Sequence, residues 1–202
     1  LNFSAAKEAP GLDESSALAV TSLAHSSQVM SASLGIAAIS SLVELRSDPL
    51  RTKGEEIILK LAPRKKVVMI GHFRSAERIR GIAGRLDILE LEQQEGDLPA
   101  DRAPIVVPEA DVLVITSSTL VNHTLEDILR YKSDKAFAML LGPSAPPSEI
   151  YFDHGIDAVC TSLFSSPGRM ISHLKGGKRF HDGQGIEYIA LGKDRRMFYT
   201  CA

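Results

Sequence analysis

Residues 65–73 read Lys65-Lys66-Val67-Val68-Met69-Ile70-Gly71-His72-Phe73. Val67 to Ile70 form a short, β-branched apolar run that stops at Gly71, the pattern of a strand buried on both faces. Polar residues follow at once (His72, Arg74, Ser75, Glu77), then a helical spacing of Ile79, Ile82, Ala83 and Leu86. Strand, glycine turn, polar loop and helix make the first βα unit of an open α/β sheet. In such sheets ligands sit outside the carboxyl ends of the strands, where His72 and Phe73 would stand.

Working outward, buried strands are expected over 86–91, 111–116, 136–141 and 157–161, with a last one over 187–191. Helices are expected over 125–131, capped by Thr124, and over 148–153, closed by Gly155. Another is opened by Ser166-Pro167 and closed by Gly176-Gly177. Strands alternating with helices predict a mostly parallel sheet with right-handed crossovers and helices on both faces. The segment 92–110, which contains Gly96-Asp97-Leu98-Pro99, reads as a long polar loop.

Upstream, 46–53 reads as a polar connector and 54–61 as a short helix. Residues 1–11 are a loose lead-in. Asp13 is placed to cap a helix running to Ala24, and a second helix runs from Ser26 or Ser27 to Leu45. The alanines, serines and Gly35 of that second helix predict close approach to another backbone. The organisation expected is a helical hairpin over 1–50, an α/β domain over 54–191 and a tail over 192–202. The chain starts at Leu1 rather than Met, the expectation being a processed or incomplete product.

Composition narrows the class. The chain has 202 residues, 44% hydrophobic and 24% charged, which is enough for a sizeable core. A net charge of −2 and 5% aromatics without tryptophan speak against nucleic acid and against an anionic membrane surface. The two cysteines, Cys160 and Cys201, suit a reduced, cytoplasmic protein better than a disulfide scaffold. No run approaches 18 apolar residues, so no membrane span is expected.

If the sheet is parallel, one rim collects Gly71, His72, Phe73, Glu90, the run from Thr116 through Thr119 to Asn122, Gly142, Pro143, Ser144 and Ser162. Hydroxyls and helix N-termini there favour an anionic ligand. Asn122, Thr124 and Ser144 can equally be helix caps. His72 is the strongest candidate, as metal ligand or acid/base. Glu90 lies where dinucleotide folds hold ribose hydroxyls, but a lone Gly71 is no dinucleotide fingerprint. Glu90 is the second metal candidate, and Asp97 is either a turn former or a ligand contact. His25, His123, His154, His173 and His181 carry weaker signals, and Cys160 reads as core. No zincin, paired Cys-x-x-Cys, P-loop or nucleophile-elbow motif is present.

Val-Val-Met-Ile-Gly-His-Phe, then Gly-Asp-Leu-Pro, Ala-Asp-Val-Leu-Val-Ile-Thr-Ser-Ser-Thr-Leu-Val-Asn-His-Thr-Leu, Leu-Leu-Gly-Pro-Ser and Phe-Asp-His-Gly-Ile-Asp together resemble an uncharacterised family of heavy-metal chelation domains. The resemblance spans about Gly35 to Leu191. It implies a Rossmann-like domain preceded by a helical remnant of a cap similar to the N-terminal domain of enolase, the cap being reduced or truncated. It also implies a site between the two. Carried over by position, the site residues are His72, Glu90, Asp97, Thr119, Asn122, Gly142 and Ser144. Where that family has a proline soon after the acidic residue, this chain has Glu92-Gln93-Gln94.

Three functions remain open on the sequence. The first is binding of a small anionic ligand, a metal ion or a metal chelate at the rim. The second is an enzyme with His72 as acid/base and Glu90 or Asp97 orienting substrate or metal. The third is a structural or assembly subunit. A homodimer is expected if an incomplete cap leaves apolar helix faces uncovered.

Overall fold

The strands form where the apolar runs lie. The computed structural model describes residues 16–45, 48–178 and 185–194. Its strands are β1 Leu50–Arg51, β2 Lys66–Ile70, β3 Arg85–Glu90, β4 Leu98–Pro99, β5 Val112–Thr116, β6 Phe137–Leu141, β7 Ala158–Phe164 and β8 Ile186–Gly192. They join one sheet in the order β1-β8-β7-β6-β5-β2-β3-β4. From β2 to β7 all pairings are parallel, while β8 runs antiparallel to both β7 and β1. The chain therefore starts its parallel sheet in the middle at β2, builds outward to β4, then returns to β5 on the other side. That reversal between β2 and β5 is a topological switch point, where open α/β sheets leave a crevice at the strand ends.

Registers put Val67 between Leu86 and Val112, and Ile70 between Leu89 and Ile115. Successive side chains of β2 point to opposite faces. Val67 and Met69 join one core layer with Ile57, Ile58, Ile79, Ile88, Val114 and Met139. Val68 joins the other, with Leu113, Ile115, Leu140, Val159, Ile128 and Val106. Both layers are closed to solvent, which explains why the strand sequences are apolar without alternation. Each such Leu, Ile or Met contributes about 1.5–3 kcal/mol by burial.

The helices are α1 Ala17–Val20, α2 Val29–Leu42, α3 Gly54–Leu61, α4 Ala76–Arg80, α5 Ala103–Val106, α6 Ser118–Val121, α7 Leu125–Arg130 and α8 Pro167–Lys175. No described helix is long and apolar enough to cross a membrane.

Several expectations are corrected. The polar loop over 92–110 contains the edge strand β4, α5 and flanking 3₁₀ turns. Ala103, Val106, Val107 and Ala110 fall at helical spacing and are buried, which offsets three prolines. The 46–53 connector supplies β1. The helix after β2 ends at Arg80, and Leu86 belongs to β3. Thr124 makes no side-chain cap to α7. The first helix is a single α-turn from Ala17, capped by Ser16 and continued as 3₁₀ over Thr21–His25. The second ends at Leu42. The lead-in, Asp13, His181, Cys201 and residues 195–202 of the tail lie outside the described residues.

The N-terminal hairpin packs onto the sheet unit through α6. Ala24, Ala32 and Ile36 surround Val121, with Ile39 and Leu120 beside them. His123, in the turn after α6, donates from Nε2 to the Ser26 carbonyl at 2.9 Å. The close approach read from Gly35 is present: a Cβ there would lie 2.0 Å from the Ala24 nitrogen. Gly35→Ala should therefore push α2 off its partner, at a cost of about 1–3 kcal/mol. The hairpin forms its own cluster, so it can shift as a unit. Hydrogen exchange should quicken over 17–42 and leave β2, β5 and β6 unchanged; unaltered exchange over 17–42 would count against this packing.

Candidate functional site

Three strand ends and three short helices surround a crevice of about 490 Å³. Its floor is Ile70, Leu89, Glu90 and Thr116, at the carboxyl ends of β2, β3 and β5. The Gly71-His72-Phe73 turn crosses it. One wall is Ser118, Thr119 and Asn122 from α6 and its end, with Asp127, Ile128 and Tyr131 from α7 and its end. The other is Ala100, Asp101, Ala103 and Pro104. The crevice lies over the switch point, where the fold alone would place it.

His72 is the polar centre. Its Nδ1 lies 3.2 Å from Asp97 Oδ2 and 3.3 Å from Oδ1. The Asp97 side chain is only 1% exposed, against 27% for His72. A carboxylate only accepts, so Nδ1–H is the donor and Nε2 is left for a ligand. Asp97 is itself anchored, accepting the Gln94 N–H at 3.0 Å. Apart from His72, no cationic side chain pairs with Asp97 among the described residues.

Glu90 is occupied differently. Oε2 accepts the His72 N–H at 2.9 Å and Oε1 the Leu91 N–H at 2.7 Å. These charge-assisted bonds hold the His72 turn against the end of β3. Glu90 is a brace for the histidine more than a free ligand arm.

The hydroxyl side is mixed. Thr119 is buried and donates to the Thr116 carbonyl at 2.7 Å. Thr116 Oγ1 donates to Ser118 Oγ at 3.3 Å and accepts the Ser118 N–H at 3.4 Å. Asn122 Oδ1 accepts from the Thr124 hydroxyl at 2.7 Å and backbone at 3.3 Å, leaving its NH₂ for the crevice. α6 is a single turn, too short for a strong helix dipole.

Of the residues read from the sequence, Gly71, His72, Phe73, Glu90, Thr116, Thr119 and Asn122 line the crevice, and Asp97 stands behind His72. Gly142, Pro143 and Ser144 are not among its lining. Gly142 instead packs on Ser117, where a Cβ would come within 2.2 Å of Oγ. Ser118, within the rim run 116–122, lines the crevice too, while sequence reading missed Asp101, Pro104, Asp127, Ile128 and Tyr131. Cys160 is core: burial pushes its thiol up to about 12.

Charge is the less expected feature. Glu90, Asp101 and Asp127 line the crevice, and among the described residues no lysine or arginine does. No group of three or more His, Cys, Asp or Glu among the described residues could hold a metal ion. A bare ion held by protein ligands alone does not fit this site; a single imidazole nitrogen is what it offers.

The sequence pattern of the family DUF364, described as "Putative heavy-metal chelation", matches residues 55–188. A DUF364 protein of unknown function from Desulfitobacterium hafniense DCB-2 is similar in structure, with a TM-score of 0.73 and 24% identity over 88% of this chain and 74% of that one. Another from Pyrococcus horikoshii gives a TM-score of 0.76 and 19% identity over 92% and 78%. At these identities the likeness is one of fold. No curated protein matches the chain.

Proposed function

Because the chain belongs to the DUF364 family, described as "Putative heavy-metal chelation", we propose that its switch-point crevice binds a metal as a preformed chelate. The metal is cargo, and the chelating molecule supplies all but one of its donors. The observation that supports this is the buried Asp97 carboxylate behind His72. A carboxylate on Nδ1–H fixes the ring and its tautomer so that Nε2 is presented to the ligand, as outer carboxylates do for metal-bound histidines. A metal on Nε2 would in turn supply the positive charge that a buried carboxylate needs. Asn122 and Ser118 face the organic part of the chelate with hydrogen-bond donors, and Phe73, Pro104, Ile128 and Tyr131 give it apolar contact. Between the ligand classes read from the sequence, the acidic lining favours the chelate over a simple anion.

The test is native mass spectrometry with elemental analysis of gently purified protein, followed by titration with the copper(II)–iminodiacetate complex. That neutral complex leaves an equatorial position open to one imidazole. One bound complex per chain, with the visible band of added nitrogen ligation, is the expected result. A chain that holds neither a metal nor the complex would refute the reading.

A second reading keeps the same pair as an acid/base. The histidine–carboxylate contact is also what a general base requires. It predicts that His72→Ala leaves ligand affinity within a few fold while turnover is lost.

A further inference from the structure

We infer that the crevice selects metal complexes by charge, taking cationic and neutral ones and rejecting anionic ones; this rests on the reading of a chelate bound at His72. The argument is an inventory of charge by position. Behind the imidazole, Asp97 is buried with His72 as its one described ionic partner. On the floor, Glu90 is offset, among the described residues, by two backbone N–H groups. On the walls, Asp101 and Asp127 line the crevice from separate elements. Asp127 pairs with Arg130 at 2.8 Å, but both side chains are largely exposed and the pair is screened. Asp101 makes no ion pair among the described residues.

Among the described lining residues, the crevice sets only His72 against these carboxylates. Apolar groups in the same walls, Phe73, Pro104, Ile128 and Tyr131, lower the local dielectric and lengthen the reach of the charges. An anionic complex entering here meets repulsion from floor and walls with no guanidinium or ammonium to receive it. A complex carrying positive charge, on the metal or on an amine of its chelator, meets attraction at each step. Asp101 and Asp127 are thus specificity residues, distinct from the imidazole that makes the bond.

Three copper(II) complexes with one position open to imidazole separate the cases: diethylenetriamine (2+), iminodiacetate (neutral) and nitrilotriacetate (1−). The quantity read is the His72-dependent binding, parent minus His72→Ala, by calorimetry at low and moderate salt. Affinity should fall about tenfold for each unit of charge removed, and the ratios should shrink with salt. Asp101→Asn with Asp127→Asn, both exposed and tolerant of change, should compress the ratios severalfold while leaving the neutral complex bound. Equal or tighter binding of the nitrilotriacetate complex, or ratios unmoved in the double variant, would overturn charge selection alone. Failure of all three complexes to bind would overturn the metal reading and this inference with it.

Discussion

Gly142→Ala is expected to lower the unfolding free energy by about 2–5 kcal/mol. Gly142 has φ +145°, a backbone conformation that L side chains rarely adopt. A Cβ there would also sit 2.2 Å from Ser117 Oγ and 3.2 Å from its Cβ. Ser117 is buried and its N–H is bonded to the Leu141 carbonyl, so the two segments cannot slide apart. Unlike the hairpin at Gly35, this contact lies between the ends of β5 and β6, in the middle of the sheet. For a chain of this size the loss corresponds to a fall in Tm of about 4–20 °C. Thermal and urea unfolding give the size. Adding Ser117→Gly removes the clash but not the strained φ, so it should restore part of the loss. If Gly142→Ala unfolds like the parent but binds ligand poorly, Gly142 touches ligand after all and the placement of its loop behind α6 is wrong.

Gly142 also shows where sequence reading stops. That a glycine ends β6 at the rim is legible in the chain. Whether it faces ligand or a neighbouring loop depends on Ser117, 25 positions earlier, and no periodicity reports that. The strands were legible because a strand buried on both faces must be apolar throughout, as in Val67–Ile70 and Val112–Ile115. The two-residue strands β1 and β4 were not, since a pair of residues has no period. Pro99, Pro104 and Pro108 hid α5 and its flanking turns, although proline suits the first turn of a helix. The far wall of the crevice, with Asp101 and Pro104, was lost with that segment. Asp127 and Tyr131 were missed for another reason: they stand one helical turn apart on α7, and only its orientation brings them to the crevice. Glu90 and Asp97 were legible, but the two carboxylates of the walls, Asp101 and Asp127, were therefore invisible to a reading that followed strand ends.

His72→Ala should abolish specific binding of the copper(II)–iminodiacetate complex, and Asp97 should set how tightly His72 holds it. Asp97→Ala leaves Nδ1–H and the Gln94 N–H without their acceptor. The ring is then free to turn, and Nε2 loses the polarisation a carboxylate gives. Loss of such an outer partner costs about 10–100-fold in metal affinity. Asp97→Asn keeps the shape and one acceptor oxygen, so it should fall between parent and alanine. Graded affinity with an unchanged nitrogen-ligation signature in visible and EPR spectra marks Asp97 as a positioning residue, because the bond to copper is made by the same atom throughout. In His72→Ala, added free imidazole should restore the complex by occupying the vacated space between Asp97 and the metal, and it should fail to do so when Asp97 is also removed. Binding that survives His72→Ala undiminished would place the ligand elsewhere. A loss in Asp97→Ala that merely follows a loss of folded protein would make the buried carboxylate a brace for the 91–97 loop, and the link between its charge and the metal would fall.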